Sequence, residues 1–478
     1  MSIESGDSAA KPSAITGWWT PRLAGPLIAA AVVRLTLLVI ALTRFGPSGV
    51  LMSDTQSYLE PGRNLLLHGS FMADGVPDLV RTPGYSIFLA IFSFAGIPAA
   101  AVANLIVSVF CVLLVWKLAR TCFSDDRIAL YAAWIFAFEP ISILYSFVLL
   151  SEPLFLALLL LGMERLAVFL RVRRLPVLAV AGLWIAAATF VRPISYCLPV
   201  ALALGLFLVL VHVPGARWKA PAVLLVSTLP WIAAWQVRNW VETDYRGFSS
   251  IREVDLYFQL ASGVTAVVEH RNYDDVRASL GYSDFAGTTG QMYLSESYLA
   301  RHPEQTGWSQ SQRLDFMHSE ANRIIRAHFG VYLRTGLISL TKTVFIFGER
   351  AFDHLLYPED SSHEASSAFD NQARWGIVPA KTNPRITAER IAFAAMVLGL
   401  YFFAALGVYR GGIRNMCFWL LLGISIYFLA IIGVGEEPGG NARYRIPIMP
   451  MVCIFAAVGI RRAKIPWAPS PASGDVAG

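Results

Sequence analysis

Asp54 stands just after the first long apolar segment of a 478-residue chain. It opens the polar stretch DTQSYLEPGRNLLLHG, which runs on to RTPGY at 81–85. A carboxylate held at a membrane boundary is placed to take a proton from a substrate hydroxyl, and positioned proton transfer contributes about 10²–10⁴-fold. Glu152 lies further along in SEPLF, Arg192 precedes Pro193, and Arg443 and Arg445 flank Tyr444 in ARYRIPIMP. Guanidinium forks match phosphate oxygens. Arg81, Arg192, Arg238, Arg443 and Arg445 are all expected on the side of Asp54, with Arg192 and Arg443 the first choices for a phosphate. Tyr58 and Tyr444 can donate hydrogen bonds to a sugar or to that phosphate. Burial, or Glu152 nearby, is expected to raise the pKa of Asp54. Arginine neutralises a phosphate by itself, so no metal or other cofactor is required, though a divalent cation is not excluded.

Each of these residues also has a plainer role open to it. Asp54, with Ser53, is a good helix cap. Glu152 before Pro153 fits the first turn of a helix. Arg81 and Pro83 can shape a turn, and Arg192, Arg443 and Arg445 can snorkel at an interface.

The elements that must position these residues are membrane helices. Apolar residues make up 55% of the chain and charged residues 15%, against about 25% charged in a soluble domain. Apolar runs approach the ~20 residues that cross a bilayer. Ten spans are expected near 23–43, 99–119, 128–149, 153–170, 176–191, 196–213, 219–237, 389–409, 414–433 and 446–461. Lipid offers the backbone no partner, so each should be helical.

Arginine and lysine set the orientation. Arg120, Arg127, Arg171, Arg173, Arg174, Arg217, Lys219, Arg410 and Arg414 fall on one side, joined by Arg461, Arg462 and Lys464. Both termini are therefore expected to be cytoplasmic, with the loops 44–98 and 238–388 facing outward. The net charge of +6 follows from that topology and needs no nucleic acid. The predicted organisation is a cytoplasmic N-terminus (1–22), a transmembrane module (23–237) containing the first outer loop, an outer region (238–388), C-terminal spans (389–461) and a disordered tail (462–478). The first apolar segment is too long for a cleaved signal and contains Arg34.

Within the outer loops, the apolar run 85–97 is too short to span and suits an interfacial helix. Residues 309–328 show helical spacing behind a Ser309 cap. The segment 331–348 is expected to be a juxtamembrane helix, because a span there would invert Arg410 and Arg414. The 238–388 region is expected to contact an acceptor. None of the five cysteines lies in an outer loop, which excludes a disulfide framework there. No zinc pattern exists, and the histidines, among them His270, His302, His318, His354 and His363, read as solvated loop residues. No phosphate-binding glycine loop occurs either, which speaks against a soluble nucleotide.

Five landmarks in order, Asp54, RTPGYSIFLA (81–90), SEPLF (151–155), RP (192–193) and ARYRIPIMP (442–450), together with WIAAWQVRNW (231–240), resemble the GT-C membrane glycosyltransferases. The likeness is to the bacterial branch related to protein O-mannosyltransferases and the lipid A aminoarabinose transferase. It implies an all-α GT-C fold of about ten transmembrane helices in the inner membrane, with interfacial helices in the first outer loop and a largely helical outer region. It further implies transfer of a sugar, with inversion, from a polyprenyl-phosphate carrier to a membrane-embedded or outer-face acceptor, at a site facing the periplasm. Asp54 matches the family's first-loop carboxylate by position, and Glu152 its second. The mannosyltransferases carry an acidic pair in that loop, whereas Thr55 follows Asp54 here.

A lipid transporter or flippase is the main rival, for which Arg34 and Glu139, next to Pro140, are the deep charges. An O-antigen ligase or polymerase and a non-enzymatic scaffold are the others.

Overall fold

The computed structural model describes residues 20–52, 54–211, 213, 215–282, 299–300, 302–345, 384–412, 415–435 and 441–462. The sequence readings that involve Ser53, His354, His363, Arg414 and Lys464, the first 19 residues and the tail from 463 lie outside them.

The protein is an all-α membrane protein. α1 (Ala24–Phe45) leads to the first outer loop, which folds as α2 (Thr55–His68), a two-residue hairpin of β1 (Met72–Ala73) and β2 (Val76–Pro77), and α3 (Pro83–Ser93). Next come α4 (Ile97–Phe123), α5 (Asp126–Ala137), α6 (Pro140–Leu144), α7 (Glu152–Val172), α8 (Leu175–Val191), α9 (Leu198–Val209) and α10 (Ala216–Thr243). The outer region contributes α11 (Ile251–Val254), a π-helical stretch at 255–261, α12 (Ser262–Val268), α13 (Tyr273–Ser279), α14 (Gln310–Ala327) and α15 (Phe329–Phe345). The chain closes with α16 (Pro384–Arg410), α17 (Met416–Gly435), a 3-10 turn (Ala442–Ile448) and α18 (Met449–Arg462).

Among the described residues, seven helices are long and apolar enough to cross a membrane, and Leu175–Val191 and Pro193–Val209 are shorter apolar helices. The third expected span is not a single helix. α5 stops at Ala137, and α6 restarts behind Pro140 for five residues. Proline has no N–H to donate and its ring clashes with a preceding helical turn, which weakens the helix at this point and favours a break. The break is sealed by buried charge. Arg34, in the middle of α1, donates to the Ala137 carbonyl at 2.9 Å and to Ser108 Oγ at 3.0 Å. The Glu139 carboxylate accepts the N–H groups of Ile141 and Ser142. A cation therefore meets the negative end of α5 and an anion the positive end of α6, as the helix dipole favours.

The interfacial helix expected at 85–97 is α3, which exposes Ile91 and Phe92. The helix expected at 309–328 is α14, with Ser309 and Gln312 forming a capping box. The segment expected at 331–348 is α15. Its C-terminal carbonyls at Thr343 and Val344 accept from the buried Arg445.

Ion pairs sort the bundle into two ends. Arg120 pairs with Asp126 at 2.8 Å, Arg461 with Asp125 at 3.4 Å, and Arg410 donates to the Arg462 carbonyl at 2.8 Å. Arg410, Arg461 and Arg120 thus share one basic end. α1 and α8 run away from that end, whereas α7 and α18 run toward it. Asp54, Glu152, Arg192 and Arg443 all cap the opposite end.

Candidate active site

Five elements deliver one charged residue each to that opposite end. Asp54 follows α1, Arg81 precedes α3, Glu152 opens α7, Arg192 follows α8, and Arg443 lies in the turn before α18. The 21 residues of α7 reach roughly 31 Å, about the thickness of a hydrocarbon core. Glu152 therefore stands at the apolar edge.

The side chains form a ladder of alternating charge. Arg81 Nη2 meets Asp54 Oδ1 at 3.0 Å, and Arg443 Nη1 meets Asp54 Oδ2 at 3.0 Å. Arg443 Nε and Arg192 Nη1 both meet Glu152 Oε1. The order is Arg81, Asp54, Arg443, Glu152, Arg192: three cations on two anions. Side-chain exposure differs sharply between the acids, 33% for Asp54 and 3% for Glu152.

Asp54 sits at the N-cap position of α2, but its side chain makes no cap hydrogen bond; both carboxylate oxygens go to arginine. Its pKa departs from the expectation that burial or Glu152 would raise it. Burial pushes it up, but the guanidiniums of Arg81 and Arg443 outweigh that and hold it down to about 2. The like charge of Glu152 does not prevail, because Arg443 lies between the two acids.

Arg81 is held on several sides. Its Nε donates to Ser57 Oγ at 2.9 Å and its Nη1 to the Tyr58 hydroxyl at 3.1 Å. Burial opposes its charge, yet Tyr58, Asp54 and Asp78 raise its pKa above the usual arginine value. The turn before it is set by Asp78, whose Oδ1 accepts the N–H groups of Val80 at 2.7 Å and Arg81 at 3.0 Å. Burial lifts the Asp78 carboxyl to about 6 despite these donors. The outer region grips the same turn: Ser249 Oγ donates to the Val80 carbonyl at 2.6 Å, and Leu79 and Val80 pack with Tyr245, Phe258 and Leu314. Gly84 lets α3 touch the end of α8, because a Cβ there would lie 2.6 Å from the Phe190 carbonyl oxygen. That approach brings Arg81 and Arg192 to the same site.

The other expected residues divide. Tyr58 belongs to the site, its hydroxyl also 3.5 Å from Ser151 Oγ. Tyr444 follows Arg443 in the same turn, close enough to bear on its charge. Arg238 is elsewhere, donating to the Phe71 and Asp78 carbonyls at 2.7 and 3.1 Å and pairing with Glu242 at 2.6 Å. It braces the hairpin that leads to Arg81. Arg445 points away from the ladder, to the end of α15.

Sequence reasoning passed over Ser57, Asp78, Asn104 and Ser151. Asn104, buried within α4, donates to the Tyr85 hydroxyl at 3.1 Å and to the Val148 carbonyl at 2.8 Å. It thereby ties α3 to the segment that presents Glu152. A lone amide inside an apolar span was the available signal, since such groups need partners. Among the described residues no three His, Cys, Asp or Glu converge as a metal site, and the two ladder carboxylates are engaged by guanidiniums.

Residues 85–240, about a third of the chain, match the family model described as dolichyl-phosphate-mannose-protein mannosyltransferase. No curated protein matches. Among solved structures, the apo oligosaccharyltransferase of Archaeoglobus fulgidus is similar at TM-score 0.49 and 15% identity, over 93% of this chain and 50% of that one. AglB of the same organism, in complex with an inhibitory peptide and a dolichol-phosphate, gives TM-score 0.48 and 13% identity over 92% and 50%. ArnT from Cupriavidus metallidurans bound to undecaprenyl phosphate gives 0.36 and 12% over 91% and 78%. The chain spans about half the length of the archaeal structures.

Proposed function

We propose that this chain is an inverting glycosyltransferase of the GT-C superfamily, a reading that the match of residues 85–240 to the mannosyltransferase family model supports. It moves a sugar from a polyprenyl-phosphate carrier to a hydroxyl acceptor, which is an envelope lipid, a glycan or a protein. The reaction takes place on the outer face of a bacterial cytoplasmic membrane, with both termini inside.

The observation that carries this reading is the charge ladder at the apolar edge. Three arginines on two carboxylates leave one positive charge in excess, which matches the single negative charge of a sugar phosphodiester. The acceptor oxygen attacks the anomeric carbon as the bond from that carbon to the phosphate oxygen breaks. The phosphate keeps the bonding electrons, and Asp54 takes the hydroxyl proton. The departing lipid phosphate needs charge neutralisation rather than a proton, and Arg443 and Arg192 supply it without a divalent cation. Asp54 is the base because substrate can reach it, whereas Glu152 is covered and anchors two arginines. The transporter alternative loses its deep charges, since Arg34 and Glu139 are committed to sealing the α5–α6 break.

The test uses right-side-out vesicles carrying wild type or Asp54→Asn, radiolabelled polyprenyl-phosphate sugars and the native envelope as acceptor. Wild type should transfer label, and a normally expressed Asp54→Asn should lose about 10²–10⁴-fold. Equal transfer by the variant would remove Asp54 from the chemistry. Movement of labelled lipid without transfer would replace the enzyme by a transporter.

A further inference from the structure

Arg443 is the one member of the ladder that touches both acids, and it does so through different nitrogens, Nη1 on Asp54 and Nε on Glu152. It can therefore let go of one while staying anchored to the other. Glu152 is the fixed end: it is 3% exposed and begins a 21-residue helix. Its Oε2 is buried with no hydrogen-bond partner, so it has acceptor capacity to spare when Arg443 turns. Asp54 is the open end, a third exposed and placed in the loop before α2.

In this arrangement Asp54 is a poor base. Both its oxygens accept from guanidiniums, and their charge favours the ionised form over one that has just taken a proton. Something must remove a cation before a hydroxyl can be deprotonated. The donor's phosphate is suited to that: it is an anion, it matches the planar fork, and it must lie beside the same arginines.

We propose that Arg443 is a two-position clamp, holding Asp54 in the free protein and passing to the donor phosphate on binding, so that the base is released only once the donor is in place. This rests on the reading of the chain as a polyprenyl-phosphate-dependent transferase. The donor then binds first and the acceptor second. After the exchange Arg443 remains on Glu152, and Asp54 keeps Arg81. As the bond to the sugar breaks, charge gathers on the phosphate and tightens its hold on Arg443 while Asp54 receives the proton. Linkage makes the coupling reciprocal: a proton on Asp54 strengthens donor binding by the factor with which the donor raises proton affinity at Asp54.

The experiment uses full-length protein in nanodiscs with undecaprenyl phosphate, without a sugar, as the probe. Its binding is measured with radiolabel, and the labelling of Asp54 by a hydrophobic carbodiimide, which attacks protonated carboxyl groups, is read by peptide mass spectrometry. Asp54 labelling should rise several-fold along the binding curve, while Glu152 labelling stays flat. Bound carrier with unchanged or reduced Asp54 labelling would overturn the clamp. Carrier that does not bind at all would instead overturn the donor assignment on which it rests. Arg443→Lys gives an independent check, since a single ammonium does not span both acids. Asp54 in that variant should label strongly without carrier, with less than twofold further rise. Labelling as low as in wild type would count against the clamp.

Discussion

Glu152→Gln separates an anchoring carboxylate from a reacting one. Glu152 Oε1 accepts from both Arg192 and Arg443, and the side chain is 3% exposed. The amide keeps the shape and one acceptor oxygen but removes the charge. Three guanidiniums, those of Arg81, Arg443 and Arg192, then share the apolar edge with only Asp54 to oppose them. Removing one partner of a buried ion pair costs about 3–5 kcal/mol. Both arginines are 15% exposed and Arg443 keeps Asp54, so the lower end, about 3 kcal/mol, is expected. For the donor the sign reverses. The excess positive charge grows from one to two, and charges ~4 Å apart near a protein surface interact by about 4 kcal/mol. After discounting for the weakened framework, donor KM should fall about tenfold, which takes 1.4 kcal/mol of that. The measurements are thermal unfolding in nanodiscs and initial rates of sugar transfer against donor concentration. A lower unfolding midpoint, a lower donor KM and a kcat within tenfold of wild type would fit an anchor. A kcat reduced 10²–10⁴-fold at unchanged KM would mean that Glu152 handles a proton and would refute the division of labour drawn here.

Asp78→Asn should stabilise the protein at pH 7. The carboxyl titrates near 6 in the fold against 3.8 ordinarily, so the folded state holds its proton more tightly, and stability falls as pH rises from about 4 to 6. The relief is at most about 3 kcal/mol and should vanish below pH 4; a wild type that gains stability across that window would contradict it. Gly84→Ala puts a methyl group 2.6 Å from the Phe190 carbonyl oxygen and 2.9 Å from Val191 Cγ2. It should cost about 1–3 kcal/mol and slow transfer by parting Arg81 from Arg192; unchanged unfolding and rates would show that α3 has room to shift. Transfer by purified protein should be unaffected by EDTA, and loss restored by a divalent cation would return a metal to the phosphate.

A good part of this was legible in the residues themselves. Apolar length forces helices in lipid, and the basic residues at one end of the spans fixed which loops share a side. That parity alone places Asp54, Glu152, Arg192 and Arg443 at a common end. Ser309 announced the start of α14 because an N-cap is local chemistry; Gln312, which completes the box, was found only in the structure. The break before Pro140 was not legible, because the cation that makes it tolerable is Arg34, 103 residues before the Ala137 carbonyl it meets.

The pairing within the common end was decided by tertiary structure. Arg443 and Asp54 are 389 residues apart, and nothing local says that one guanidinium will lie between two acids. That interposition reversed the pKa expected for Asp54, since two cations at hydrogen-bonding distance outweigh burial. Nor could spacing distinguish Arg443 from Arg445. In a 3-10 turn, residues two apart project about 240° from each other, so one meets the ladder and the other the end of α15. The sequence determined which residues are available at the membrane edge. Packing of α3 against α8, through Gly84, and of the final turn against α15 decided which of them share charge.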